Sequence, residues 1–245
     1  PALDRPTEDA ALMAAYPSYC RPNLWPEEGL PELQGAFMGL GQLMLEVGSN
    51  LARHCDVHVA RETGAPSTLE GTIRRSVCHK GRLLHYFPPP EGAELAANAQ
   101  GKAQWCGWHN DHGSLTGLTS AMYQDASGAE VDNPDPDSGL FIKNRDGEVV
   151  QVGIPRGHLA FQIGESSQIM SGGVLRATPH CVTGASGPGT AGMCRNTFAV
   201  FMQPRWDADM SPARTGAESG DIGLWKDAGR WEPGVNFGEF TERTL

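Results

Sequence analysis

The chain lacks any long apolar run and is short of positive charge. No stretch of its 245 residues approaches the roughly 20 apolar residues of a membrane-spanning helix. No basic-then-apolar leader opens it either, so no membrane association is expected. Lys and Arg number 19 against 29 Asp and Glu, a net charge of -10, which argues against wrapping a nucleic-acid backbone. The six cysteines, Cys20, Cys55, Cys78, Cys106, Cys181 and Cys194, contain no C-x-x-C pair. They read as reduced thiols of an intracellular, cytoplasmic protein. Internal repeats are absent. The chain begins at Pro1 instead of Met, which we read as the start of a fragment, so loss of a targeting segment stays compatible with the cytoplasmic reading.

What is plentiful is turn-forming residues. With Gly 31 and Pro 18, many short strands joined by tight turns are expected, and the length suits one sizeable barrel domain.

The most informative residues are His109-Asn110-Asp111, followed by His180. Two histidines and one carboxylate can occupy one face of an octahedral iron(II), leaving three positions for a co-substrate and dioxygen. The spacing alone is weak, because His54-Cys55-Asp56 repeats it. Upstream of His54, apolar residues fall at Phe37, Leu40, Leu43, Met44, Val47 and Leu51, the pattern of an amphipathic helix. Positions two apart on a helix diverge, so His54 and Asp56 read as polar residues near a helix end. Around His109 the sequence is strand-like, and on an extended chain positions two apart share a side. His109 and Asp111 can therefore chelate together, while Asn110 and His112 point away.

Between Asp111 and His180 lie strand candidates at 139–143, 148–152, 158–163 and 167–170, punctuated by Gly, Pro, Asn and Asp clusters. This reads as a run of antiparallel strands, as in a jelly roll, where distant residues meet inside. His158 follows Pro155-Arg156-Gly157 at a strand start and is the alternative third ligand. His180, within Leu175–Val182, lies on a more central strand and is the stronger candidate. A flexible turn over 183–192 and a returning strand over 195–201 make a hairpin that would bring Arg195 back beside His180. Arg195 and Thr197 share a face, and a guanidinium with a nearby hydroxyl can grip the far carboxylate of a dicarboxylic keto acid.

These stretches resemble the iron(II)/2-oxoglutarate-dependent dioxygenases of the isopenicillin N synthase-like type. Arg82-Leu-Leu-His-Tyr-Phe-Pro88, Trp108-His-Asn-Asp-His-Gly-Ser-Leu-Thr116, Gln162–Gly172, Thr178-Pro-His180 and Arg195-Asn-Thr197 run in that family's order, over roughly residues 30–203. The resemblance implies a mainly β fold, a double-stranded β-helix (jelly roll) barrel with flanking α-helices. It implies His109, Asp111 and His180 as ligands of Fe(II), and Arg195 and Thr197 as anchors of 2-oxoglutarate. Phe87 stands where the family has a Tyr that contacts the co-substrate, and His85 where Asn is usual. Tyr86 is the substitute for that contact, although by alternation it should face the other way. The implied activity uses O2 to hydroxylate or desaturate a small organic substrate, releasing succinate and CO2, with ascorbate as an auxiliary reductant and the enzyme a monomer. The alternatives are an iron oxidase of the same type that does not use 2-oxoglutarate, and a non-catalytic metal-binding jelly-roll protein.

Three segments are expected. Residues 1–66 form an N-terminal helical segment whose long helix, entered near Pro31, runs to about Val59 and braces the barrel. Residues 67–205 are the jelly-roll domain. Residues 206–245 are a tail with a short helix over Phe237–Arg243, docked by Phe237 and Phe240. The acidic stretch Asp132–Asp137 reads as a solvated loop. Among the aromatics, Phe201 shares the Arg195 face and is the best pocket candidate, ahead of Trp105, Trp108, Tyr123 and Phe141.

Overall fold

Two antiparallel sheets form the body of the computed structural model, which describes residues 4–88, 104–186, 189–212 and 230–244. The strands are β1 (Lys80–Tyr86), β2 (Gln104–His109), β3 (Leu115–Thr119), β4 (Met122–Gln124), β5 (Glu130–Val131), β6 (Gly139–Lys143), β7 (Val149–Val152), β8 (Leu159–Ile163), β9 (His180–Thr183) and β10 (Cys194–Met202). The larger sheet runs β5-β4-β10-β3-β8, with β1 along the other edge of β10. The smaller runs β2-β9-β6-β7. The helices are α1 (Ala10–Ala15), α2 (Pro17–Cys20), α3 (Leu33–Thr63), α4 (Leu69–Arg75), α5 (Glu165–Met170) and α6 (Phe237–Thr244). None of the described helices is long and apolar enough to cross a membrane.

Strand β10 shows how the alternation of side chains builds both faces of the larger sheet. Phe198, Val200 and Met202 point to the helical side, where they pack with Met44, Ala52 and Val59 of α3, Leu69 and Ile73 of α4, and Leu115 of β3. Arg195, Thr197 and Phe201 point to the opposite side, into a cavity between the two sheets. Each large apolar side chain fully buried in the first group contributes about 1.5–3 kcal/mol.

The apolar stripe expected of α3 is only partly the buried one. Leu43, Val47 and Leu51 are exposed, and the face turned to the sheet is Met44, Gly48, Ser49, Ala52 and Val59. The reason is closeness. A Cβ on Gly48 would stand 2.5 Å from the Met202 thioether, and one on Gly117 of β3 2.9 Å from the Met44 methyl. Small residues let the helix sit down on the strands, and the hydrophobic residues one step round the helix are left in solvent. His54 and Asp56 lie on α3 as expected. The Asp56 carboxylate accepts hydrogen bonds from the Ser67 hydroxyl at 2.5 Å and from the Leu69 and Glu70 amides at 2.8 and 2.9 Å, so it serves the start of α4.

One expected strand is a helix. Residues 167–170 belong to α5, because the chain turns at Gly164 and its next residues bind the loop over 111–114 instead of a neighbouring strand. Residues 175–179 are also outside any strand, and β9 starts at His180 itself. The tail helix lies where expected: Phe237 and Phe240 are fully buried with Ile169, Met210, Trp231 and Val235. Within the flexible turn expected over 183–192, residues 187–188 lie outside the described residues.

Candidate metal centre and its cavity

His109 closes β2 and His180 opens β9, and the two are register partners in the smaller sheet. Their rings stand 4.2 Å apart between centroids. Asp111 lies just past β2, in the loop that carries the chain over to β3 of the larger sheet, and not on an extended strand as expected. It still converges: ligand atoms of His109, Asp111 and His180 all lie within 4.8 Å of one another. Among the described residues this is the one such cluster of His, Cys, Asp and Glu side chains. His158 is exposed, with Nδ1 3.0 Å from the Arg156 carbonyl, and takes no part.

The hydrogen bonds around the three orient their side chains, and one of them, from Gln162 Nε2 to His180 Nε2 at 3.1 Å, would give way to a metal. His109 Nδ1 lies 2.8 Å from the Gly107 carbonyl and His180 Nδ1 2.9 Å from the Thr178 carbonyl. A carbonyl only accepts, so both Nδ1 atoms carry a proton, which leaves the two Nε2 atoms as the positions a metal would take. Asp111 Oδ2 accepts from the Thr116 hydroxyl at 2.6 Å and from Gln162 Nε2 at 2.7 Å. Thr116 and Gln162 are themselves partners across β3 and β8. That leaves Asp111 Oδ1 facing the imidazoles, 3.8 Å from each Nε2. Such outer hydrogen bonds fix ligand orientation in metal sites. The donor set fits a divalent iron: two imidazoles, that of His109 once its Nε2 proton is released, and one carboxylate on one side, with the cavity on the other.

Protonation follows from the surroundings. The Cys106 sulfur, 3.7 Å from Nδ1, and the Gly107 carbonyl push His109 up to about 9, against the opposing effect of burial. Burial holds His180 below its usual value, with the His109 ring adding to this and Asp111 opposing it. A metal at the two Nε2 atoms competes with protons there, so binding releases them.

The loop bearing Asp111 is held from behind by α5. The first amides of a helix lack intrahelical acceptors, and here loop carbonyls supply them. Glu165 N donates to Asp111 O at 2.7 Å, and Ser166 N to His112 O and Gly113 O at 3.2 Å each. The Ser166 and Ser167 hydroxyls donate to the His112 and Ser114 carbonyls at 2.5 and 2.7 Å. The contact is so close that a Cβ on Gly164 would lie 2.1 Å from the Gly113 carbonyl oxygen. Glu165, 1% exposed, accepts from Asn110 Nδ2 at 3.2 Å and from both terminal nitrogens of Arg230.

The triad opens onto a cavity of about 280 Å³ between the sheets. Arg195 reaches it from β10, but from the sheet opposite His180; β9 and β10 do not pair, so the expected hairpin is not formed. The Arg195 residue is 6% exposed and its Nε has no hydrogen-bond partner. Its guanidinium lies 5.5 Å from the centre of the Tyr86 ring, which in turn stacks on Trp105 at 5.6 Å. Tyr86 thus faces the cavity and Phe87 is 73% exposed. Alternation does separate the two, but it is Tyr86 that points inward. Thr197 lines the cavity too, its hydroxyl donating to the Thr119 carbonyl at 3.2 Å. Phe201 also lines it, whereas Trp105, Trp108, Tyr123 and Phe141 do not. A larger cavity of about 370 Å³ lies on the helical side among Tyr19, Trp25, Phe37 and Lys80, with no convergent ligand set.

Sequence reasoning did not single out Thr116, Gln162, Glu165 or Arg230. The one signal available was polarity in apolar surroundings: Gln162 lies between Phe161 and Ile163, and Thr116 follows Leu115.

No family model matches the chain. Homoarginine-6-hydroxylase 2-ODD-C23.1 of Arabidopsis thaliana is 27% identical over 194 residues, which make up 78% of this chain and 50% of that protein. A 2OG-Fe(II) oxygenase family protein from Caulobacter crescentus superposes with a TM-score of 0.63 at 20% identity, covering 97% of this chain and 64% of its own. The full-length T7H of Neurospora crassa, in complex with alpha-KG and 5-formyluracil, gives 0.59 at 18%, covering 90% and 62%. This chain therefore spans half the length of its Arabidopsis relative and less than two thirds of these structures. Its fold is like that of these two oxygenase structures.

Proposed function

We propose that this chain is the catalytic core of a non-haem iron(II), 2-oxoglutarate-dependent oxygenase that hydroxylates or desaturates a small organic substrate, with release of succinate and CO2. The observation that carries this reading is the convergence of His109, Asp111 and His180 at one end of a cavity that also holds the buried, unpartnered Nε of Arg195. The similarity to an Arabidopsis hydroxylase and to an alpha-KG complex supports it. The facing sheets are, in this reading, the halves of a double-stranded β-helix, with residues 67–205 as the catalytic unit.

His109 Nε2, Asp111 Oδ1 and His180 Nε2 would hold the iron. Iron(II) with 2-oxoglutarate and O2 supplies the oxidising power for a C–H bond. The protein residues do the rest. Thr116 and Gln162 keep Asp111 Oδ2 occupied, so the carboxylate cannot rotate away from the imidazoles. Arg195 takes the distal carboxylate of 2-oxoglutarate, with the Thr197 hydroxyl beside it, and Tyr86 holds the guanidinium from below. Leu84, Leu118, Leu140 and Val182 line the same cavity and keep it poor in water.

An anaerobic titration with iron(II) and then 2-oxoglutarate tests this. The expected result is the weak visible charge-transfer band of a chelated keto acid, with 2-oxoglutarate bound about 10- to 100-fold more weakly by Arg195→Ala, the loss of a hydrogen bond to a charged group. Iron binding without the band would favour the oxidase that does not use 2-oxoglutarate. No iron binding would overturn the assignment.

A further inference from the structure

One cation of the cavity has no part in holding iron or 2-oxoglutarate. Arg82, on β1, lines the same cavity as the triad, with its guanidinium 4.9 Å from the centre of the Phe201 ring. The side chain is exposed, and among the described residues no carboxylate pairs with it. That is notable in a chain whose acids outnumber its bases by 29 to 19. The same lining includes Gln203, 6% exposed, whose side-chain oxygen Oε1 is buried without a partner. That oxygen accepts only from a hydroxyl or N–H, so a carboxylate does not satisfy it.

We propose that Arg82 anchors a carboxylate of the primary substrate, so that the substrate class is small organic acids; this rests on the oxygenase reading above. The argument is one of distance and shape. Tyr86 is the register partner of Arg195, and Arg82 lies four residues earlier on the same strand, about 13 Å away at 3.3 Å per residue. The two arginines therefore mark opposite ends of the cavity along the sheet. A five-carbon keto acid chelated at the triad and gripped by Arg195 cannot also reach Arg82, so a second anion is needed there. The planar guanidinium matches a carboxylate in bidentate fashion. The Phe201 ring fixes its plane without neutralising it. Gln203 Oε1, an acceptor, takes no part in holding the carboxylate. The cavity, at about 280 Å³ for co-substrate and substrate together, limits that acid to a small one.

The test is calorimetry on the iron(II)–2-oxoglutarate protein without O2, using matched acid and primary-amide pairs: phenylacetate with phenylacetamide, and hexanoate with hexanamide. The acids should bind at least tenfold more tightly than their amides. Arg82→Gln should remove that preference while 2-oxoglutarate binding, read from its visible band, persists. Equal binding of acid and amide, a preference that survives Arg82→Gln, or no binding by any of the four would overturn the proposal. If iron and 2-oxoglutarate do not bind, the oxygenase reading falls, and the same pairs titrated into the metal-free protein still decide the role of Arg82.

Discussion

Arg230 grips Glu165 with two hydrogen bonds, of 2.8 and 2.9 Å, directly behind the loop that carries Asp111. The pair joins the C-terminal part of the chain to the first residue of α5, with side chains 17% and 2% exposed. Removing one partner of such a buried pair leaves an uncompensated charge and costs about 3–5 kcal/mol. Arg230→Met should therefore lower stability in urea by that order and weaken iron binding, because α5 no longer holds the Asp111 loop. The double variant Glu165→Met, Arg230→Met should recover much of the stability. A single variant as stable as wild type would remove the pair from this account.

Gln162 offers a separation of metal affinity from folding. Its amide donates to Asp111 Oδ2 at 2.7 Å and sits 3.1 Å from His180 Nε2. Losing an outer hydrogen bond of this kind commonly weakens metal binding 10- to 100-fold. Gln162→Leu should show that loss in an iron(II) titration, with a melting temperature close to wild type. Unchanged iron affinity would mean that Thr116 alone orients the carboxylate.

Gly164→Ala should be among the most damaging conservative changes. Its φ is −101°, so the backbone conformation suits alanine. The obstacle is space, for the new methyl meets the Gly113 carbonyl oxygen at 2.1 Å. Overpacking costs typically about 1–3 kcal/mol and more where backbone must move. Because the backbone that must move leads back to Asp111, urea denaturation and iron titration should both register the change. A neutral result in both would show the clamp to be looser than these contacts imply.

His79 makes stability pH-dependent away from the His109, Asp111 and His180 cluster. Burial lowers its pKa from 6.5 to about 4, with the Ile73 carbonyl opposing. Its ring nitrogens are occupied by that carbonyl at 3.0 Å and by the Gln203 backbone N–H, which donates to Nδ1 at 3.2 Å. The folded protein keeps His79 neutral, while the unfolded chain takes up a proton below pH 6.5. The stabilisation is full above that pH and is lost as pH falls towards 4, up to about 3 kcal/mol in all. Denaturant curves at pH 7.5 and 4.5 should show this loss, and His79→Gln should reduce it. An equal loss in the variant would assign the pH dependence to other groups.

Much of the fold was legible because local rules dominated it. Glycine and proline clusters isolated short alternating segments, and β6, β7, β8 and β10 lie within a residue or two of where those segments placed them. The tail helix with Phe237 and Phe240 followed from the same kind of pattern. Local rules failed where tertiary contacts compete with them. Residues 167–170 look like a strand, yet the chance to satisfy loop carbonyls at 111–114 makes them a helix. Leu43, Val47 and Leu51 look like a buried stripe, yet the glycine at 48 brings a different face of α3 against Met202.

The sequence by itself determined which side chains could make a metal site: His109, Asp111 and His180 are ligand-type residues, with Arg195 and Thr197 downstream. That much is chemistry of residue type and period, which short stretches carry on their own. Only the tertiary structure decided how they meet. His109 and His180 pair within one sheet, Asp111 enters from the crossing loop, Arg195 faces them from the other sheet, and Tyr86 turns inward. Thr116, Gln162, Glu165 and Arg230 become part of the site only through contacts spanning 5 to 65 residues of sequence. No local pattern encodes such partners, because what selects them is the need to satisfy buried polar atoms once the sheets have closed around the cavity.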